Sequence, residues 1–151
     1  MPKIRINDEL EINYEENGSG RPIVFVHGVW MSGRYFHKQL QALGQNHHSI
    51  ALDLRGHGQS SHTEDGHTMA TYAEDLHAFL KIKGLSGVVL AGWSMGCMVL
   101  WDYFKKFGDE NVAAAIFVDQ SPSDFKWPDW DFGLFDLPTL RDRSRDLVRN
   151  T

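Results

Sequence analysis

The chain has 151 residues, of which 42% are hydrophobic and 12% aromatic, and its formal net charge is −5 at pH 7. That length corresponds to roughly one domain, and the composition excludes global disorder. Fifteen basic residues stand against twenty acidic ones, without a basic cluster before the C-terminal stretch of alternating charges, which argues against a nucleic-acid partner.

The cellular context is indicated by what the sequence lacks. No apolar stretch approaches the roughly 18 residues that a membrane-spanning helix needs, and the N-terminus has no apolar segment of the signal-peptide type. Cys97 is the single cysteine, so an internal disulfide is excluded and a reducing compartment is indicated. The sequence therefore predicts a cytoplasmic protein without a membrane partner.

Apolar patterns predict the strands. Residues 3–7 and 10–14 alternate apolar with polar side chains on either side of an Asn-Asp-Glu turn, a pattern typical of an antiparallel hairpin. Four later runs are apolar, except for Ser49 at the start of the second, as in strands buried on both faces of a parallel sheet: residues 23–26, 49–52, 88–91 and 113–118. Helical patterns lie between these runs, so βαβ units are expected.

Two helices are predicted around the strand at 88–91. Thr71 and Glu74 have the spacing of a capping box, and Gly84 stands where a C-terminal glycine belongs. The apolar face behind the box consists of Ala73, Leu76, Phe79 and Leu80. Residues 98–107 are apolar nearly all round, as in a helix buried against a sheet, and Gly108 ends them. A charged helix is also indicated over residues 141–149.

The strongest chemical signal is Gly92-Trp93-Ser94-Met95-Gly96, which joins the strand at 88–91 to the next helix. A strand, a sharp turn and a helix form the context of a nucleophile elbow, in which glycines avoid clashes and a serine hydroxyl lies at the helix N-terminus. Ser94 is therefore the candidate nucleophile. The alternative is an ordinary strand-to-helix turn that contains Gly and Ser. Cys97 is interpreted as small-residue packing under the elbow.

A second signal, His27-Gly28-Val29-Trp30, follows the strand at 23–26. Where a serine nucleophile lies in an elbow of this kind, the loop after an earlier strand and the residue after the serine each supply one N–H to an oxyanion hole. The backbone amides of Val29 and Met95 are the candidates, and His27 is expected to bond nearby backbone and order the loop. Trp30 and Trp93 flank these donors, and either an apolar substrate pocket or core packing explains them.

Residues 53–60, Asp-Leu-Arg-Gly-His-Gly-Gln-Ser, lack the lysine of a phosphate-binding loop and the spacing of a dinucleotide fingerprint. A tight loop held by Asp53 and Arg55 at the carboxyl edge of the sheet is predicted instead. His57, His62 and His67 recur at a five-residue spacing, which no helix brings to one face, so a polar loop is favoured over a metal site. Neither a metal nor a cofactor is expected.

Four stretches resemble the α/β-hydrolase superfamily, in the order of that family: residues 27–34, 53–60, 72–76 and 92–96. The resemblance is closest to the cofactor-free haloperoxidase and arylesterase-like branch. It implies an eight-stranded sheet with an antiparallel second strand, helices on both faces and a helical cap after strand six. The predicted fold is α/β: a doubly wound, mostly parallel sheet with an N-terminal antiparallel hairpin. Residues 1–121 would form the N-terminal part of this core, and residues 122–151 the beginning of the cap.

The catalytic triad of the family runs Ser, acid, His along the chain, and here all eight histidines precede Ser94. The resemblance therefore implies a general base and a usual acid beyond residue 151. Asp119 lies where some relatives place the acid, but Asp-Gln-Ser-Pro is also a good turn. We expect this sequence to be the N-terminal portion, truncated after strand six, of a hydrolase of about 260–280 residues. It is expected to depend on its C-terminal half or to form a homo-oligomer.

The resemblance implies a serine hydrolase of small esters or lactones, with a small acyl substrate as its partner. Ser94 would attack the carbonyl, the amides of Val29 and Met95 would hold the oxyanion, and the part beyond residue 151 would supply the base and acid. Residues 1–151 alone are expected to be inactive, since a serine without its base retains only weak catalysis. Two alternatives stay open: C–C bond hydrolysis or perhydrolysis with the same serine, and a non-enzymatic binding module on the same fold.

Overall fold

The computed structural model describes residues 2–121 and, beyond them, Lys126, Pro128, Asp129, Asp131, Asp136 and Pro138. By its internal contacts the chain divides into two compact units, Met1–Gln120 and Ser121–Thr151. The first unit contains all the elements described below. Most of the predicted cap at residues 122–151, including the predicted helix at 141–149, lies outside the described residues.

Six strands and four helical segments make up the first unit. The strands are β1 Lys3–Arg5, β2 Glu11–Asn17, β3 Pro22–Val26, β4 His48–Leu52, β5 Val88–Trp93 and β6 Val112–Val118. The helical segments are a short 3-10 helix, Gly33–Phe36, and the α-helices α1 His37–Leu43, α2 Met69–Ile82 and α3 Met95–Phe107. None of the described helices is long and apolar enough to cross a membrane.

The strands form one mixed sheet in the order β1-β2-β4-β3-β5-β6. β1 pairs with β2, and β2 with β4, in antiparallel fashion, whereas β4 pairs with β3, β3 with β5 and β5 with β6 in parallel fashion. The predicted hairpin, the four predicted parallel strands and the antiparallel second strand are confirmed. β5 lies between β3 and β6, so the residue after β5 follows an interior strand at the carboxyl edge of the sheet.

Helices cover both faces of the sheet because the parallel strands are apolar on both sides. On one face, Val24 and Val26 of β3 belong to the larger core cluster, which α2 and α3 complete with residues such as Phe79 and Leu100. On the other face, Phe25 belongs to a smaller cluster that the 3-10 helix and α1 complete with Phe36 and Leu40. Alternate residues of one strand thus serve two cores, which confirms the doubly wound arrangement.

β6 is less covered than the other parallel strands. Every residue of β6 after Val112 is exposed to solvent. The side chains of Ile116, Phe117 and Val118 are each close to half exposed. Among the described residues β6 is also the last strand at its edge of the sheet. An apolar strand with an open edge is a surface that proteins normally pair or cover.

The helix ends confirm two predictions and correct one. Gly84 and Gly108 follow α2 and α3 with φ values of +67° and +68°, as C-terminal glycines do. The capping box predicted at Thr71 is wrong, because α2 begins two residues before it. Thr68 is the N-cap, and its side-chain oxygen accepts the N–H of Thr71 at 3.2 Å. Glu74 instead forms an ion pair with Lys106 of α3.

Candidate active site

Ser94 lies in a sharp turn between β5 and α3. Its φ and ψ are 52° and −120°, a combination that a residue with a Cβ rarely adopts and that costs on the order of 1–3 kcal/mol. Ser94 is the N-cap of α3, yet its side chain makes no capping hydrogen bond. The turn therefore holds a hydroxyl at a helix N-terminus without using it to stabilise the helix.

The two glycines of the elbow, residues 92–96, allow the turn to be this sharp. A Cβ at Gly92 would lie 2.7 Å from the carbonyl carbon of Gly96, and a Cβ at Gly96 would lie 2.8 Å from the carbonyl carbon of Val26. Contacts below 3.0 Å require backbone to move. α3 consequently starts in direct contact with β3, which brings the loop after β3 close to the elbow.

Cys97 connects the elbow to two strands, β5 and β6, through hydrogen bonds. Its thiol donates to the carbonyls of Gly92 at 3.1 Å and Val118 at 3.4 Å, and its N–H donates to the Ser94 carbonyl at 2.8 Å. The N–H of Ser94 also donates to Val118, at 3.0 Å. Burial raises the pKa of the Cys97 thiol, so the sulfur stays protonated and acts as a donor. These contacts support the packing interpretation of Cys97.

The candidate oxyanion donors lie on two elements that meet at Ser94. Met95 is the first residue of α3, where a backbone N–H has no intrahelical acceptor. Val29 belongs to the loop after β3, and a Cβ at its neighbour Gly28 would lie 3.3 Å from Cβ of Ser94. Within residues 2–121 neither N–H donates a hydrogen bond. The assignment of Val29 and Met95 to an oxyanion hole stays a prediction.

His27 orders the loop from a fully buried position. Its Nδ1–H donates to the carbonyl of Gly28 at 2.7 Å, and its Nε2 accepts the N–H of Leu54 at 3.0 Å. Both ring nitrogens are therefore occupied by backbone, which confirms the structural role predicted for this residue. Desolvation by burial lowers the pKa of His27 to about 4, so the ring is neutral at pH 7.

The loop after β4 is held by two carboxylates. The Asp53 carboxylate accepts the N–H of Gly33 at 2.7 Å, the N–H of Gln59 at 2.8 Å and the Asn13 amide at 2.8 Å. Arg55 forms a two-pronged ion pair with Asp75 of α2, with N–O distances of 2.7 and 2.8 Å. That carboxylate raises the pKa of Arg55. The predicted tight loop is confirmed.

Sequence reasoning missed Asp75 as the partner of Arg55. The available signal was its position, since Asp75 is a carboxylate flanked by the buried residues Ala73 and Leu76 on the apolar side of α2. A buried carboxylate needs a positively charged partner. In the loop at residues 53–60, Arg55 is the residue with a long, positively charged side chain. Tyr35, which packs against Trp93, was also missed, and no local pattern marks it.

The family comparison agrees with this geometry: the family model of the alpha/beta hydrolase fold matches residues 21–148. The chain belongs to the α/β-hydrolase family. A non-heme haloperoxidase from Rhodococcus erythropolis is 39% identical over 123 residues, which are 81% of this chain and 45% of that protein. The similarity confirms the resemblance to the haloperoxidase branch.

Solved structures of two enzymes resemble this chain in fold. A bromoperoxidase from Bacillus anthracis superposes with a TM-score of 0.81 at 31% identity, over 93% of this chain and 52% of that one. An esterase from Exiguobacterium antarcticum has a TM-score of 0.86 at 26% identity, over 97% of this chain and 55% of that one. This α/β-hydrolase chain spans about half the length of the relatives it matches.

Among the described residues of this α/β-hydrolase chain, no histidine forms a hydrogen bond with Ser94. His57 bonds the carbonyl of Arg55 at 3.0 Å, and His67 bonds that of Thr63 at 2.8 Å, so both serve their own loop. Within the described part of the chain, no three His, Cys, Asp or Glu side chains gather as metal ligands would. Asp119 is exposed directly after β6 with a φ of 56°, and its role as the acid stays a prediction.

Trp30 and Trp93 lie in different cavities of this α/β-hydrolase. Trp30 is 90% exposed and lines an open groove of about 800 Å³. Trp93 stacks on Tyr35, with ring centroids 4.5 Å apart, and lines an apolar cavity of about 260 Å³. Tyr35 lines both cavities. The two tryptophans therefore do not share one pocket, and Tyr35 connects their surroundings.

The buried His27 predicts a specific pH dependence of stability. Between its ordinary value of 6.5 and its folded pKa of about 4, the unfolded chain binds a proton that the folded chain does not. We therefore expect the free energy of unfolding to fall as the pH drops through this window, by up to about 3 kcal/mol, and to be independent of this group above it. Urea denaturation at pH 4 to 7 measures the slope.

The control for this prediction is a histidine variant that leaves the buried ring intact. His62 is exposed, so His62→Gln should keep the full slope, whereas His27→Gln should lower the stability at pH 7 and reduce the slope. An unchanged slope in His27→Gln would assign the acid sensitivity to other groups.

Proposed function

We propose that the chain carries the nucleophile of a serine hydrolase that cleaves small esters or lactones through an acyl-enzyme. The observation that carries this proposal is the strained backbone of Ser94, which holds an uncapped hydroxyl at the N-terminus of α3. Strain of this kind persists only where the surrounding structure imposes it, and it concentrates at functional sites. The relatives named haloperoxidase and esterase support the same reaction class.

In the proposed mechanism, Ser94 Oγ attacks the substrate carbonyl and loses its proton to a general base. The N–H groups of Val29 and Met95 stabilise the resulting oxyanion, and collapse of the intermediate expels the alcohol and leaves an acyl-serine. Water then hydrolyses this ester with help from the same base. Hydrogen peroxide in place of water would give a peracid, and a relative from Acinetobacter calcoaceticus that is named a bifunctional esterase/perhydrolase favours this as the second outcome of the acyl-enzyme.

The base and the acid are proposed to come from outside residues 1–151. In the described residues the ring nitrogens of His27 are both bonded to backbone, and His57 and His67 bond carbonyls of their own loop.

The exposed apolar strand β6 supports the accompanying proposal that this part of the chain pairs with further polypeptide, either a C-terminal half or a second copy. The single buried Cys97 fits a cytoplasmic location.

A fluorophosphonate probe tests the nucleophile assignment in the full-length protein. We expect hydrolysis of p-nitrophenyl acetate, loss of that activity on labelling, and a single phosphonyl adduct in the peptide that contains Ser94. Residues 1–151 expressed alone should show no enzyme-like turnover. An adduct on another residue would overturn the assignment, and a full-length protein that neither hydrolyses esters nor reacts with the probe would favour the non-enzymatic binding module.

A further inference from the structure

The groove beside Trp30 has a feature that core packing does not explain. Trp30 adopts a φ of 60° although it is not glycine, and its side chain is 90% exposed. A bulky residue in the left-handed region is a backbone outlier that costs on the order of 1–3 kcal/mol. Because the described residues leave the Trp30 ring uncovered, the strained backbone at Trp30 does not bury the side chain. It does fix a large aromatic surface along the groove.

The same groove is positively charged in a chain of net charge −5. Between Glu16 and Asp53 the sequence contains no acidic residue. Three basic side chains from that interval, Arg34, His37 and Lys38, line the groove with Trp30 and Tyr35. Within the described part of the chain neither Arg34 nor Lys38 forms an ion pair, and both are exposed. The groove thus presents two uncompensated cations beside an aromatic ring.

The groove and Ser94 lie at the same edge of the sheet. Trp30 follows the carboxyl end of β3, as Ser94 follows that of β5, and these two strands are parallel neighbours. Trp30 is also adjacent in sequence to Val29, the candidate oxyanion donor. Tyr35 links the two places, because its ring lines the groove and stacks on Trp93, the residue before Ser94. A substrate at Ser94 could therefore extend toward Arg34 and Lys38.

We propose that this groove binds a carboxylate on the substrate, so that the preferred substrates are esters or lactones that carry an anionic group. This inference rests on the proposed function of Ser94. The planar guanidinium of Arg34 can donate two parallel hydrogen bonds to a carboxylate, and Lys38 adds a second positive charge. Trp30 packs against the apolar part of the substrate that joins the carboxylate to the ester. A positive groove on an acidic protein also concentrates anionic substrates near the site.

Two ester pairs test the proposal in the full-length protein and locate the anionic group. Mono-p-nitrophenyl glutarate and its methyl ester differ by one charge on the acyl side, and 4-acetoxybenzoate and its methyl ester differ by one charge on the alcohol side. We expect the anionic member of one pair to have the higher kcat/KM. Arg34→Gln and Lys38→Gln should each lower the ratio of kcat/KM for that anionic ester to kcat/KM for its neutral methyl ester by about fivefold.

Arg21→Gln is the matched control, because it removes the same charge from an exposed position before the amino end of β3, at the opposite edge of the sheet. An equal loss in Arg21→Gln would show a net-charge effect and overturn the proposal. Calorimetric binding of glutarate to the Ser94→Ala protein gives a readout that needs no hydrolysis. Neutral-ester hydrolysis without an anion preference would overturn this inference alone. Glutarate binding that depends on Arg34, in a protein that hydrolyses no ester, would overturn the proposed function alone.

Discussion

Under the proposed mechanism, replacement of Ser94 by alanine is expected to lower kcat/KM for ester hydrolysis in the proposed longer protein by at least about 10⁴-fold, because it removes the oxygen proposed as the nucleophile. Fluorophosphonate labelling should disappear at the same time. The fold should survive, since the Ser94 side chain makes no capping bond and alanine keeps the Cβ. Steady-state kinetics, labelling and thermal denaturation on one preparation measure all three effects.

Two further variants separate chemistry from structure in this experiment. Ser86 is an exposed serine before β5, at the opposite end of that strand, so Ser86→Ala should retain full activity and labelling. Ser94→Gly removes the same hydroxyl but also relieves the strain at a φ of 52°, and it should be more stable than Ser94→Ala by about 1 kcal/mol. Labelling that persists in both Ser94 variants would place the nucleophile elsewhere.

The parts of the fold that could be predicted are those that local chemistry determines. β3, β4 and β5 each contain a continuous apolar run, and burial on both faces follows directly from it. The elbow could be predicted because its two glycines and its serine occupy fixed positions between a strand and a helix. The role of His27 also followed, since a histidine at the end of a buried strand needs partners for both ring nitrogens.

The parts that could not be predicted depend on contacts between distant residues. The N-cap of α2 was misplaced because Thr68 and Thr71 are both capable caps, and only the packing of the helix decides between them. The stack of Tyr35 on Trp93 joins residues from two different elements, which no periodicity relates. The strained backbone of Trp30 contradicts the propensity of its residue type, so no sequence rule predicts it.

Gly96→Ala tests whether contact between α3 and β3 maintains the elbow. Alanine is the better helix former by about 1 kcal/mol, so propensity alone predicts stabilisation within α3. The packing predicts the reverse. The new Cβ would lie 2.8 Å from the carbonyl carbon of Val26 and 3.1 Å from the carbonyl oxygen of His27, and both atoms belong to backbone that cannot rotate away. We expect the free energy of unfolding to fall by about 3 kcal/mol because overpacking outweighs propensity.

Gly84→Ala is the control for this substitution, because nothing lies within 4 Å of the site where its Cβ would be. It should cost only about 1 kcal/mol, which reflects its φ of +67° rather than any clash. Urea denaturation of the full-length protein measures both variants. Because α3 must move away from β3 to admit the methyl group, the Met95 N–H should also shift, and kcat should fall in Gly96→Ala but not in Gly84→Ala. A Gly96→Ala protein of unchanged or higher stability would show that helix propensity dominates and that β3 does not constrain the elbow.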